Sequence, residues 1–215
     1  LGNGVTIGPF CGLQKAILVG DGAVIEGGAG ALKPLPPGGH SILATTPLAC
    51  DAPPAPLPPH AALPPCPHHV WSQTRSEISA DIDRYLGELS RYDGRRPGRM
   101  ARLSAFLMNP VLATALHRVA HWQHARGNRR TARFLAGMNR ALNRLTITPD
   151  SCIGGGFFMP HLGGTMFCGT AGRRLTLYAN GLCAPAFAAI GPAGGRAHAP
   201  LLGDDVTIGG HAAVI

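Results

Sequence analysis

Residues 202–213 read Leu202-Gly203-Asp204-Asp205-Val206-Thr207 and then Ile208-Gly209-Gly210-His211-Ala212-Ala213, which are two consecutive units of six residues. Each unit begins with an aliphatic residue and a glycine, continues with two residues that tolerate a turn, and then has a small or β-branched residue. This period is typical of a parallel β-helix, in which the first residue of each unit points into the core. Glycine suits the corners because it has no Cβ and accepts a positive φ. The pattern therefore predicts β-helix coils over residues 146–215.

The beginning of the chain carries the same signal. Its units are Leu1-Gly2-Asn3-Gly4-Val5-Thr6, Ile7-Gly8-Pro9-Phe10-Cys11-Gly12, Val19-Gly20-Asp21-Gly22-Ala23-Val24 and Ile25-Glu26-Gly27-Gly28-Ala29-Gly30. The proline-rich residues 32–39 predict the exit from the β-helix, because proline ends strand pairing. Coils at the start resemble the end of a β-helix, whereas coils at the finish resemble its beginning. Three explanations stay open: a circular permutation, a piece of a tandem protein in which residues 1–45 finish one copy, and a segment cut from a longer chain.

Between the two sets of coils the composition changes twice. Residues 46–71 are dominated by proline and alanine, so we interpret them as a linker, with a docking site for a proline-binding module as the alternative. Residues 72–145 have apolar residues at helical spacing, which predicts a small helical domain. Its predicted helices span residues 76–89, 97–108, 110–126 and 128–142. The fold class is thus α+β: a helical domain followed by a parallel β-helix at residues 146–215, with further coils at residues 1–45 in a permuted or tandem-like order.

The chain is basic, with a formal net charge of +8 and a pI near 9.8. Such a balance suits nucleic acid, an anionic membrane surface or an anionic cofactor. Six arginines between Arg126 and Arg144 form a basic face, which we interpret as a solvated helix surface that adds some attraction for phosphates. No nucleic-acid-binding module and no aromatic interleaving accompany this charge. We therefore expect neither a nucleic-acid nor a membrane partner.

The six cysteines include no CxxC pair, and their spacing suggests no disulfide framework. Cysteines inside the predicted coils are expected to be free thiols that behave as small apolar residues. No signal peptide and no apolar run of membrane-spanning length are visible, although the sequence begins at Leu1 and a removed leader stays open. We expect a cytoplasmic protein.

A family resemblance rests on three motifs. These are His117-Arg118-Val119-Ala120-His121-Trp122, the later Ile147-Thr148-Pro149, and the loop around His161. Together with the order of the domains, these motifs resemble bacterial serine O-acetyltransferases, a family of hexapeptide-repeat acyltransferases. The resemblance covers roughly residues 72–215. Residues 1–39 resemble the later coils of that family. The resemblance implies a left-handed β-helix, with acetyl-CoA as co-substrate, no bound cofactor and a small hydroxyl acceptor. It also implies a role in cysteine biosynthesis. The expected assembly is a homotrimer or dimer of trimers, with acetyl-CoA between neighbouring β-helices.

The resemblance also assigns roles to individual residues. It places the general base at His161, in Met159-Pro160-His161-Leu162-Gly163-Gly164, where a neutral imidazole takes the proton of the acceptor hydroxyl without a covalent enzyme intermediate. The second active-site histidine is His198, in Arg196-Ala197-His198-Ala199-Pro200, as an acceptor or oxyanion partner; an alignment on Pro200 instead puts Ala199 there. Contacts with acetyl-CoA are implied at Gly181, Ala184, Gly194, Gly195 and Arg196.

Two positions depart from the family pattern. Pro160 stands where the family has an aspartate directly before the base, and Thr146 stands where it has the aspartate that orients the base. Loss of both carboxylates removes recognition of the serine amine. The acceptor therefore stays open between serine, another small hydroxyl and a sugar hydroxyl, and a catalytically degenerate assembly scaffold is the non-enzymatic alternative.

Metal sites are the remaining interpretation of the histidines. His117 and His121 are spaced i, i+4, as in zinc-binding helices, but no third ligand or catalytic glutamate accompanies them. A zinc site of the γ-carbonic-anhydrase kind needs clustered histidines, and His161, His198 and His211 lack that spacing. We therefore predict no metal, and an acetyl-CoA-dependent O-acetyltransferase as the function.

Overall fold

The computed structural model describes residues 1–13, 18–31, 35–41, 70–94, 100–185 and 199–214. Within these residues the helices are α1 (Trp71–Asp93), α2 (Ala101–Ala105), α3 (Asn109–Ala125) and α4 (Arg129–Asn143). The strands, each two residues long, are β1 (Thr6–Ile7), β2 (Gly12–Leu13), β3 (Val24–Ile25), β4 (Gly30–Ala31), β5 (His40–Ser41), β6 (Thr146–Ile147), β7 (Cys152–Ile153), β8 (Met166–Phe167), β9 (Thr170–Ala171), β10 (Thr176–Leu177), β11 (Leu182–Cys183), β12 (Leu201–Leu202), β13 (Thr207–Ile208) and β14 (Ala213–Val214).

The strands form three parallel sheets that enclose one core. Sheet I has the order β10-β13-β1-β3-β5, sheet II the order β6-β8-β11-β14-β2-β4, and sheet III the order β7-β9-β12. From residue 146 onward the chain visits sheet II, sheet III and sheet I in turn, which makes a three-sided parallel β-helix. The aliphatic residue that opens a unit points inward, as the sequence predicts: Ile7, Ile25 and Ile208 are completely buried.

The coils at the start of the sequence stack on the coils at its end. Thr6 of β1 is in register with Thr207 of β13, and Gly12 of β2 is in register with Ala213 of β14. Residues 1–41 and 146–214 therefore share one β-helix in this structure. The permuted or tandem-like origin of this order stays a prediction.

The predicted exit at residues 32–39 is wrong. Leu35 forms a bridge with Val19, and β5 pairs with β3, so the β-helix continues to Ser41. Pro36 and Pro37 occupy a corner, where the chain turns and the Gly39 N–H donates to the Pro36 carbonyl at 2.9 Å. Proline is tolerated there because a corner residue donates no ladder hydrogen bond.

Helices α1 and α2 begin or end at residues other than those predicted from the sequence. Helix α1 begins at Trp71 rather than at residue 76, because Val70 takes the N-cap position without any side-chain cap. It continues to Asp93 and ends at Gly94, whose φ of 66° is the left-handed C-cap conformation that favours glycine. Helix α2 ends at Ala105 instead of Met108, and residues 97–99 of its predicted span lie outside the described residues.

A buried arginine joins the helices to the first coil. Arg118 of α3 is 1% exposed and donates hydrogen bonds to Asp81 of α1 and to the carbonyl oxygens of Ile153 and Gly154. Asp81 in turn accepts the Phe157 N–H at 2.7 Å. The chain segment that leads toward His161 is therefore fixed by two helices. Among the described helices none has the length and apolarity that a membrane span requires.

Candidate functional site

His161 lies at the edge of the β-helix where the chain passes from sheet I to sheet II. We call this edge the His161 corner; it consists of residues 159–165, 178–181, 209–212 and 8–11 in successive coils. The His161 side chain is exposed, whereas Met159 before it is 1% exposed and Leu162 after it packs against the core. These two apolar anchors hold the imidazole toward solvent.

The backbone after His161 is held from two directions. The Gly164 N–H donates to the Arg144 carbonyl oxygen at the end of α4, at 2.9 Å, and the Gly163 carbonyl accepts the Asn180 N–H of the next coil at 2.9 Å. Gly164 has a φ of 63°, and a Cβ there would lie 1.9 Å from Asn180 Oδ1. Only glycine fits this position without displacing Asn180.

Asn180 and His211 are polar residues in the next two coils of the corner. Asn180 Nδ2 lies 3.3 Å from His211 Nε2, and the His211 ring stacks on Phe10 with centroids 5.0 Å apart. Asn180, His211 and Phe10 all have a φ of 59° and follow the in-register residues Leu177, Ile208 and Ile7 by three positions. Asn180 was not among the predicted site residues, although the hexapeptide register places it beside His211.

The residues assigned to acetyl-CoA are only partly described. Gly181 and Ala184 flank β11, and their backbone groups take part in the sheet: the Gly181 carbonyl accepts the Met166 N–H at 3.0 Å, and the Ala184 N–H donates to Val214 at 3.1 Å. Gly194, Gly195, Arg196 and His198 lie outside the described residues.

The connection from β11 to β12 joins sheet II to sheet III, whereas the His161 corner joins sheet I to sheet II. Gly181 shares the His161 corner, and Ala184 lies at the start of the connection. Within one chain the structure therefore does not bring His161 together with Ala184.

The two positions that lack the family's carboxylates flank the loop that carries His161. Thr146, in β6, donates its backbone N–H to the Thr165 carbonyl at 2.8 Å, and Pro160 directly precedes His161. No aspartate or glutamate occurs in any segment of the His161 corner. Within these four coils the imidazole therefore has no carboxylate neighbour on its own edge, and Glu26 lies on the same edge one coil further, between β3 and β4.

A groove of about 1070 Å³ lies elsewhere, between α1 and sheet III. Its walls include Glu77, Arg84, Arg91, Cys152, Gly154 and Arg174, and none of the residues assigned to the site. Arg84 is held by the Gly156 carbonyl at 2.7 Å, and burial lowers its pKa. Arg91 pairs with Glu88, and Arg174 pairs with Asp205. The Arg91–Glu88 pair lies within α1 and the Arg174–Asp205 pair lies within the coils, whereas Arg84 joins α1 to the coils.

The two histidines of α3 are buried side chains of the helical domain. His117 and His121 are 2% and 4% exposed, and their ring centroids are 6.0 Å apart. His121 Nδ1 lies 2.8 Å from the Pro149 carbonyl oxygen, which connects α3 to the first coil. Among the described residues no group of three or more histidine, cysteine, aspartate or glutamate side chains is arranged to hold a metal.

The expectation of free thiols in the coils is wrong for one cysteine. Cys11, Cys168 and Cys183 are free, but Cys152 is disulfide-bonded. The sequence has no CxxC pair, so its cysteine spacing did not reveal this bond.

The chain is 34% identical over 132 residues to the serine acetyltransferase of Mycobacterium tuberculosis, a match that covers 60% of this chain and 56% of that protein. No family model matches the chain.

Solved serine acetyltransferases share the fold. The Neisseria gonorrhoeae enzyme gives a TM-score of 0.54 at 21% identity and covers 67% of this chain and 52% of its own. The Vibrio cholerae enzyme gives 0.54 at 17% identity, with 66% and 52% covered. The chain thus spans about half the length of the relatives it matches. The resemblance to serine acetyltransferases that the sequence predicts is confirmed.

Proposed function

We propose that this chain transfers an acetyl group from acetyl-CoA to the hydroxyl of serine or a similar small acceptor. The observation that carries the proposal is its 34% identity to a serine acetyltransferase. The exposed imidazole of His161, fixed on a loop between α4 and the next coil, supports it.

The proposed reaction needs one proton acceptor and no covalent enzyme intermediate. His161 takes the proton of the acceptor hydroxyl while its oxygen attacks the thioester carbonyl carbon. A C–O bond forms, the C–S bond breaks, and the proton passes from His161 to the leaving CoA thiolate. His198 contacts the acceptor or the oxyanion in this scheme, and the segment from Gly181 to Arg196 lies near CoA.

The proposal also includes an oligomeric state, a cellular location and a biosynthetic role. Because His161 lies between sheets I and II, whereas β11 and β12 belong to sheets II and III, a site that uses His161 and the segment between β11 and β12 takes them from two copies of the chain. We therefore propose a homotrimer or dimer of trimers with left-handed coils, in the cytoplasm, in which the product O-acetylserine serves cysteine biosynthesis.

Release of CoA thiol tests the proposal directly. Purified protein with acetyl-CoA and L-serine is expected to release thiol, and His161→Ala is expected to lower the rate by about 10²–10⁴-fold, the contribution of a general base. His211→Ala is the matched control, since it removes another exposed histidine from the same corner. Full activity of His161→Ala would contradict the base assignment, and no turnover together with no CoA binding would favour an assembly scaffold.

A further inference from the structure

The loop that carries His161 is two residues longer than the corner of the next coil. Between the same two ladder positions the His161 coil has seven residues, 159–165, and the next coil has five, 177–181. Surplus residues opposite a shorter segment are left without a ladder partner. The position of His161 therefore depends on contacts other than the pairing of strands.

Asn180 of the next coil contacts this loop through its backbone and its side chain. Its N–H donates to the Gly163 carbonyl oxygen at 2.9 Å, and that carbonyl also accepts the Thr165 hydroxyl at 3.2 Å. Its Oδ1 lies 1.9 Å from the point that a Cβ on Gly164 would occupy, so the amide oxygen packs against the Gly164 backbone. The Gly164 N–H is bound on the other side by the Arg144 carbonyl oxygen.

The backbone conformation of Asn180 allows its two contacts to be separated. Its φ of 59° lies in the left-handed region, which asparagine and glycine adopt more readily than other residues. A glycine at this position would therefore keep the corner and the N–H bond to Gly163. It would remove the side chain, together with the contact of that side chain with Gly164.

We propose that Asn180 is a positioning residue for His161. Its side chain fills the space beside Gly164, limits the movement of the loop and holds the imidazole where it meets the acceptor hydroxyl. A general base acts only within hydrogen-bond reach of the proton that it removes, so a displacement of about 1 Å is costly. The inference rests on the proposed acetyl transfer and adds a residue that acts through the loop.

Steady-state kinetics of Asn180→Gly test this role. With acetyl-CoA and L-serine we expect kcat to fall about tenfold to a hundredfold and KM for acetyl-CoA to stay unchanged, because the base is misplaced and the binding of acetyl-CoA is not affected. Asp205→Gly is the matched control, since Asp205 has the same φ of 59° at a corner between sheets III and I. A wild-type kcat in Asn180→Gly would overturn the proposal, as would an equal loss in Asp205→Gly or a rise in KM with unchanged kcat.

Two further variants identify the contact that carries the effect. Gly164→Ala places a methyl group where the Asn180 Oδ1 lies and should also lower kcat. Because both substitutions break one contact, Gly164→Ala/Asn180→Gly should be no slower than the slower single variant, whereas independent losses would multiply and would overturn the proposal. His211→Ala removes the other contact of the Asn180 amide, at 3.3 Å, and should leave kcat unchanged. A loss equal to that of Asn180→Gly would assign the effect to His211 instead.

Exchange of the Gly164 amide tests the same role without any acetyl transfer. In Asn180→Gly this amide should exchange roughly tenfold faster, because the loop opens more often, as read by NMR on isotope-labelled protein. Asp205→Gly should leave its rate unchanged, and so should Asn180→Asp, which keeps Oδ1 and tolerates the same φ.

The two measurements separate the failure of the positioning role from the failure of the proposed function. If the wild-type protein acetylates no acceptor, the proposed acetyl transfer ends, while faster exchange in Asn180→Gly still supports the hold of Asn180 on the loop. Equal exchange at Gly164 in the wild-type protein and in Asn180→Gly would refute that hold.

Discussion

Arg118 and Asp81 meet inside the protein through two parallel hydrogen bonds of 3.0 Å, from Nε to Oδ2 and from Nη2 to Oδ1. Burial raises the pKa of the Asp81 carboxyl, and Arg118 and the Phe157 N–H oppose that shift. Burial lowers the pKa of Arg118, but the Asp81 carboxylate outweighs it and the pKa is raised. We take the pair as ionised, because both hydrogen bonds and the backbone N–H stabilise the carboxylate.

Removing Arg118 should destabilise the fold strongly. Arg118→Leu leaves Asp81 as a buried charge without its partner and removes the donors to Ile153 and Gly154. We expect the free energy of unfolding to fall by about 3–5 kcal/mol, measured by urea denaturation. Arg91→Leu, at a side chain that is 79% exposed, is the control and should cost about 0–1 kcal/mol. Similar losses for the two variants would show that the buried pair contributes little.

The stacking of the first coils on the last ones can be captured by a disulfide. Thr6 and Thr207 are in-register neighbours in parallel strands about 4.8 Å apart, a spacing that a disulfide spans. Thr6→Cys/Thr207→Cys should therefore form a bond within one chain, detected on a non-reducing gel and by peptide mass mapping. Thr6→Cys/Thr176→Cys is the control, since β13 lies between those strands. A covalent dimer would instead mean that the coils stack between two chains.

Two glycines in different surroundings should respond differently to alanine. A Cβ on Gly154 would lie 2.7 Å from the backbone of Gly172 in the next coil, whereas a Cβ on Gly12 meets nothing within 4 Å. Gly154→Ala forces two coils apart and should cost about 1–3 kcal/mol of unfolding free energy. Gly12→Ala should be nearly neutral in the same urea titration. Equal effects of the two substitutions would show that the coils separate without cost.

Cys183 should resist alkylation in the folded protein. Burial raises the pKa of its thiol to about 12, with the nearby Cys168 adding to the shift. Because the thiolate is the reactive form and a raised pKa keeps the thiol protonated through pH 8, iodoacetamide should leave Cys183 unmodified. Half-buried Cys168 and the urea-unfolded protein serve as controls, read by mass spectrometry. Modification of Cys183 as fast as Cys168 would contradict the burial argument.

The sequence predicted the parts of the fold that depend on local pattern. The hexapeptide period located Ile7, Ile25 and Ile208 in the core, because one residue per unit must point inward whatever the rest of the chain does. The predicted exit from the β-helix at residues 32–39 was wrong, because proline, which ends pairing in a flat strand, is tolerated at a β-helix corner. The predicted start of α1 at residue 76 was also wrong, because the helix begins at Trp71 without a side-chain cap.

The contacts that build the candidate site depend on long-range packing. Asp81 and Arg118 are 37 residues apart, and no periodicity links them. The bond between Gly164 and Arg144 likewise follows from the angle at which α4 meets the coils. The motif around His161 identified a candidate base, but its neighbours Asn180 and Arg144 became visible only in three dimensions. The role of His161 and of the residues assigned to acetyl-CoA stays a prediction.

The order in which the coils stack determines where the β-helix unfolds locally. In a solenoid each rung contacts only its neighbours, so melting proceeds inward from the two tips. The rung of β6 is backed by α4, while β5 has a partner on one side only among the described strands. Amide exchange is therefore expected to be fastest near His40 and slowest around Ile7 and Ile208. The coils of Ile7 and Ile208 are therefore expected to be the best-shielded part of the β-helix, since each has a neighbouring coil on both sides.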